Sequence, residues 1–168
     1  MINKNILQHI TLGWVATQDN NILDKISDAQ YFGTACPSRA SELQAIMVLR
    51  SSRKILKRNL KIILDNKALL EKFMLKYSVF FTWIPPNAGA IAAIKFKGNM
   101  TSIELGTELT KEGISIKPAY CFADDVTKEN DYFRVGFGES KMPHALEAFD
   151  RFVEKRKEAW KENMNLSI

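Results

Sequence analysis

The residues with the clearest chemical potential lie in the run Tyr132-Phe133-Arg134-Val135-Gly136-Phe137-Gly138. On a strand, alternate side chains point to opposite faces. Phe133, Val135 and Phe137 would then turn toward a core, and Tyr132, Arg134 and Gly136 the other way. The planar fork of a guanidinium suits two-point capture of a carboxylate, and the glycine two residues on leaves space beside it. On its residues alone the motif favours a plainer role, a structural arginine paired with a nearby acid such as Asp124 or Asp131.

The other chemistry-bearing residues offer less. Gly136-x-Gly138 is half of a phosphate-binding glycine loop, without the third glycine or the strand-then-helix setting. Arg50, Arg53, Lys54, Lys57, Arg58 and Lys61 recur at helical spacing. They read as a solvated basic face, because no aromatics interleave and Asp65 and Glu71 follow; a nucleic-acid partner is not expected. His9 and His144, the only histidines, have no serine, cysteine or carboxylate patterned beside them, and His144 reads as a surface residue. Cys36 and Cys121 have no partners at metal-ligand spacing. They read as small buried hydrophobes in a reducing cytoplasm, and no metal site is expected.

These residues must be positioned by elements whose pattern is readable. Leu12–Thr17 is a short apolar run and predicts a strand. Asp19 or Asn20 caps a helix with Ile22, Leu23, Ile26 and Ala29 on its buried face. After a break at Gly33–Ser38, Ser38 caps a second helical stretch that continues to Lys76 as one long helix or two. Leu56, Leu60, Ile63, Leu70 and Met74 mark its apolar side. From residue 78 the order reads strand (Val79–Ile84), strand (Ala90–Phe96), helix (Ile103, Leu105 and Leu109, ending at Gly113), strand (Ile114–Lys117), strand (Tyr132–Phe137) and a closing helix from Pro143. The second half is therefore an α+β two-layer sandwich.

Composition agrees with one soluble domain of 168 residues: 46% hydrophobic, 26% charged, net charge +5. The longest apolar stretch, near Val79–Ile94, is broken by Pro85, Pro86, Asn87 and Gly89, so no membrane span is expected. The first residues carry Lys4 with no sustained apolar run behind it, unlike a secretory signal.

Taken in order, these segments resemble the fold-type I, class I and II, pyridoxal-phosphate-dependent aminotransferases, from about Leu12 to Trp160. Gly13-Trp14-Val15-Ala16-Thr17 is similar to the strand after the family's Schiff-base lysine. Ser41-Glu42-Leu43 with Ala45 is similar to the start of the long helix joining its two domains. Pro118 with Phe122 resembles the Pro-Gly-x-x-Phe loop, with Ala119 in place of the glycine. Phe133-Arg134-Val135-Gly136-Phe137 resembles the segment whose arginine holds the substrate α-carboxylate. The resemblance thus moves Arg134 from a structural role to substrate binding.

The departures are as informative. The family's Ser-Lys-x-x-Gly-x-x-Gly-x-Arg-x-Gly motif, set with its last glycine on Gly13, puts Asn3 at the lysine, Ile6 and His9 at glycines and Thr11 at the phosphate-binding arginine. Lys4 is one residue out of register and is the only candidate for the Schiff-base lysine. Side chains at Ile6 and His9 would hinder close approach of the backbone to a phosphate.

The resemblance implies residues 1–37 as a remnant of a large cofactor-binding domain, 38–77 as the interdomain helix region and 78–168 as the small domain. It implies a truncated, cytoplasmic, dimeric relative of an amino-acid-metabolising transferase, with pyridoxal phosphate not held stably by this chain alone. Its ligand would be an amino acid or 2-oxo acid, and its partner a second copy or a complementing large-domain chain. The alternative is a non-catalytic interaction or dimerisation module.

Overall fold

The computed structural model describes residues 12–122 and 131–165; Lys4, His9, the rest of the first eleven residues and Asp124 lie outside them. The chain divides into two compact units, residues 1–58 and 59–168.

In the first unit, α1 (Asn20–Gly33) starts where expected, because the Asp19 carboxylate accepts hydrogen bonds from the N–H groups of Asn21 (2.9 Å) and Ile22 (3.4 Å). The chain turns after it through Ala35, in the left-handed region at φ 57°. Then α2 (Arg39–Arg50) runs to Ser51, and α3 (Ser52–Lys76) begins on the next residue and continues into the second unit. The long helical pattern is thus two helices, broken at Ser51.

Three expectations fail in this unit. Leu12–Thr17 is not a strand; a strand exists only through a ladder partner, and none of the described strands pairs with it. The apolar side of α1 is not buried: Ile22 and Leu23 are exposed and Ile26 only half-buried. Nor is Cys36 a buried hydrophobe; it is exposed, as is Cys121, because both sit in turns outside the core.

The second unit contains the sandwich. Strands β1 (Phe81–Trp83), β2 (Ile91–Phe96), β3 (Lys117–Pro118) and β4 (Tyr132–Gly136) form one antiparallel sheet in the order β1-β2-β4-β3. The central helix α4 (Ser102–Lys111) is fixed by a capping box between Thr101 and Glu104 and stops before Gly113, whose φ of 76° suits a residue without Cβ. Ile114–Ile116 stays outside the sheet, so β3 is shorter than its sequence suggests and includes Pro118 on an edge, where a missing N–H is tolerated. The closing helix α5 spans Met142–Asn165.

One face of the sheet packs on α3, α4 and α5. Ile94, Phe96 and Phe133 from the sheet and Phe137 just beyond β4 join Leu70 and Phe73, Leu105 and Leu109, and Phe149, Phe152 and Trp160 from the three helices. The rings meet at edges and tilts, Phe96–Trp160 at 5.0 Å and Phe81–Phe149 at 5.5 Å between centroids. Such pairs add about 0.5–1.5 kcal/mol each beyond the area they bury. On α3 the expected apolar side is correct only in its second half: Leu70 and Met74 are buried, whereas Leu56 and Leu60 are exposed.

Candidate functional site

The alternation read in β4 holds. Phe133 and Phe137 are fully buried and Val135 packs against the core, while Tyr132 and Arg134 stand on the opposite, open face. The register sets Arg134 between Ala93 of β2 and Lys117 of β3. Directly cross-strand residues share a face, so Arg134 has a methyl on one side and an ammonium-bearing chain on the other. Ile91 lies opposite Gly136, where an added Cβ would meet only the Ala90 carbonyl at 3.9 Å. The surface beside the guanidinium is therefore low and partly apolar.

Among the described residues no carboxylate lies within ion-pair distance of Arg134. The structural pairing that the motif alone suggested does not form with Asp131, whose carboxylate is 3.9 Å from Lys95; Asp124 lies outside the described residues. The guanidinium carbon instead stands 5.8 Å from the ring centre of Phe122, at the end of the Pro118–Phe122 loop. That loop is a short 3-10 turn with Ala119 buried, its N–H donating to Ser102 Oγ at 3.2 Å. An exposed arginine with an aromatic wall and no anion against it among the described residues is equipped to receive an external one.

The sequence reading missed Asn66 altogether. It lies in the apolar stripe of α3, at helical spacing from Ile63, Leu70 and Phe73, and only 3% of it is exposed. Its side-chain amide donates to the carbonyls of Phe137 (3.0 Å) and Glu139 (2.8 Å), just beyond β4. A polar residue interrupting an otherwise apolar stripe was the available signal.

The described residues do not fit pyridoxal phosphate. A phosphate and a pyridinium need buried donors and a partner acid aimed at them. The buried polar side chains described are Asn59, Asn66 and Ser102. Asn66 and Ser102 are occupied by backbone groups, and Asn59 supplies a single buried amide rather than a set of donors with a partner acid. Lys4 lies outside the described residues, as do the positions set against the family's lysine and phosphate-binding arginine. No group of three or more His, Cys, Asp or Glu able to hold a metal occurs among the described residues. His144 is exposed, and the basic residues Arg50, Arg53, Lys54, Lys57, Arg58 and Lys61 are all exposed, Lys61 pairing with Asp65 at 2.8 Å. No described helix is long and apolar enough to cross a membrane.

Comparison with solved structures bears directly on this sheet and its helices. A PLP-dependent aminotransferase from Streptococcus suis superposes with a TM-score of 0.76 at 24% identity, over 89% of this chain and 39% of that one. The chain has the fold of part of a PLP-dependent aminotransferase. An archaeal alanine:glyoxylate aminotransferase matches at TM-score 0.71 and 17% identity, over 89% of this chain and 38% of its own. The PLP-dependent cyclase OrfR matches at 0.69 and 20%, over 81% of this chain and 37% of its own. The chain thus spans well under half the length of these aminotransferase-fold proteins. One of them is called a cyclase, so the fold does not by itself choose the reaction. No family model matches the sequence, and no curated protein matches it.

Proposed function

We propose that this chain contributes the carboxylate-binding part of an aminotransferase-type site. Arg134 receives the α-carboxylate of an amino acid or 2-oxo acid through its guanidinium fork, with Phe122 as a side wall and Ala93 and Gly136 leaving room for the rest of the ligand. The observation that carries this is an exposed arginine on the outer sheet face with no carboxylate of the described residues within ion-pair distance of it. The amino-group chemistry and the pyridoxal phosphate it requires belong to residues other than those described. The chain alone is expected to bind a carboxylate weakly and to catalyse nothing.

Pyruvate titration followed at the Arg134 side-chain Nε–Hε resonance tests the reading. Saturable movement is expected at a dissociation constant on the order of mM or weaker, the range open to a small ion on one exposed fork. No movement at Arg134, or equal binding by Arg134→Ala, would overturn it. Pyridoxal phosphate followed by borohydride reduction is expected to label scattered surface lysines. A stoichiometric label on Lys4 would instead make this chain a cofactor-binding protein in its own right.

A second reading has its own support. No described residue of the first unit is buried, yet Trp14 (66% exposed), Phe32 (84%) and Met47 (67%) crowd its surface. Apolar surface of this extent usually finds cover. We take residues 1–37 as the part that joins a cofactor-binding domain, supplied in a longer or second chain or by self-association. A monodisperse monomer in sedimentation at high concentration would remove the interaction-module reading and leave the Arg134 proposal untouched.

A further inference from the structure

We infer that Asn66 is a positioning residue for Arg134: from α3 its amide fixes the end of β4, and so fixes where the guanidinium stands on the open face. The inference rests on Arg134 as the carboxylate-binding group.

The ladder between β2 and β4 ends at Ile91 and Gly136, and the next backbone bond, Phe137 N–H to the Ala90 carbonyl at 2.8 Å, is the last that ties the strand to its neighbour. The chain then leaves the sheet so close to Ala90 that a Cβ on Gly138 would lie 2.9 Å from that of Ala90. The carbonyls of Phe137 and Glu139 have no strand to pair with, and Asn66 takes both with the two N–H groups of one side chain. These bonds join residues 71 and 73 apart in sequence.

The neighbours of Asn66 along the stripe, Ile63, Leu70 and Phe73, are apolar, and an apolar residue would fill the space without the desolvation cost of an amide. What the asparagine adds is direction. It fixes the strand's exit relative to α3, three residues beyond Arg134. That matters because nothing else described restrains the arginine side chain by hydrogen bond or ion pair; its one described partner is the Phe122 ring. The placement of its fork therefore follows the backbone of β4.

A merely structural asparagine would lower stability when replaced and leave the arginine alone. The test compares Asn66→Leu with Tyr77→Phe, which removes only the bonds of the Tyr77 hydroxyl, just past the end of α3, to Asp150 and Glu154 and leaves the bonds at the end of β4 in place. Both are measured at a temperature where each is fully folded by amide spectra. In the ligand-free chain, 15N relaxation at Arg134 Nε should show greater mobility in Asn66→Leu only, and pyruvate affinity should fall at least threefold in Asn66→Leu only. Unchanged mobility and affinity, or equal losses in Tyr77→Phe, would overturn the inference. If Asn66→Leu does not fold, Asn66→Ser, which keeps one donor, should show the same changes at smaller size, and wild-type mobility there overturns it. Should the unaltered chain fail to bind pyruvate, the carboxylate reading falls; the ligand-free mobility still decides whether Asn66 governs Arg134.

Discussion

The two faces of the four-stranded sheet are written by the same strands, one residue in two. The inner face carries Ala92, Ile94, Phe96, Phe133 and Phe137, all buried; the outer carries Ile91, Ala93, Lys95, Tyr132 and Arg134, all wholly or partly exposed. The inner set is selected by volume and meets three helices. The outer set is not packed into that core, and there a guanidinium stands without a counter-ion among the described residues. Burial and chemistry have thus been separated at the spacing of a single residue, and the substitutions that probe one face should be nearly silent on the other.

The largest effect should come from Phe133→Ala. Removing a fully buried ring costs about 3–5 kcal/mol, a large part of the 5–15 kcal/mol that holds an ordinary domain together. Urea denaturation should show a midpoint far below that of the unaltered chain, or no folded baseline. One residue on, Arg134→Ala should change stability by no more than about 0.5 kcal/mol, as exposed sites do. It should nevertheless abolish the pyruvate response. Loss of stability in both would mean that the outer face is also structural.

A sharper version uses two adjacent alanines. Ala92 is 4% exposed and its neighbour Ala93 faces out. Ala92→Leu must force extra methylenes into a filled core and should cost about 1–3 kcal/mol. Ala93→Leu should stay within about 0.5 kcal/mol, while crowding the space beside Arg134 and weakening pyruvate. Urea midpoints for the pair, with one pyruvate titration each, check both halves.

Much of this contrast was legible in the sequence, because period-two alternation in β4 is a local signal that the partners of the strand only reinforce. The helix starting at Asp19 was legible for the same reason: the cap is made by the residue itself. What failed were features that depend on something else being alongside. Leu12–Thr17 has the composition of a strand but no described neighbour to pair with, and Leu56 and Leu60 keep helical period with no described core beneath them. The resemblance, not the spacing, suggested the role proposed for Arg134, and geometry then set Asp131 against Lys95 instead. Asn66 went unread because counting apolar positions treats a polar one as a gap, although an amide at that position in the stripe is where two distant carbonyls are met.

The smallest expected effect tests the rim of the inner face rather than its centre. Tyr77 buries its ring in the core and sends its hydroxyl out to Asp150 Oδ1 (2.9 Å) and Glu154 Oε1 (2.7 Å). Lys76 and Lys157 also reach the Glu154 carboxylate, at 3.1 and 2.6 Å. Hydrogen bonding from Lys157, then from Tyr77 and Lys76, holds the Glu154 carboxyl down to about 2, against 4.5 for a free glutamate. A carboxyl depressed on folding binds fewer protons in the folded chain, so its contribution is present above pH 4.5 and is lost as pH falls from 4.5 through about 2. These groups stand in water, where screening keeps such pairs small. The thermal midpoint of the unaltered chain should therefore fall slightly more steeply between pH 4.5 and 2 than that of Glu154→Gln, and the two curves should run parallel from pH 5 to 7. Parallel curves throughout would mean that the Glu154 carboxylate adds nothing, leaving the union of α3 and α5 to the Lys76–Asp150 pair, the Tyr77–Asp150 bond and the aromatic core.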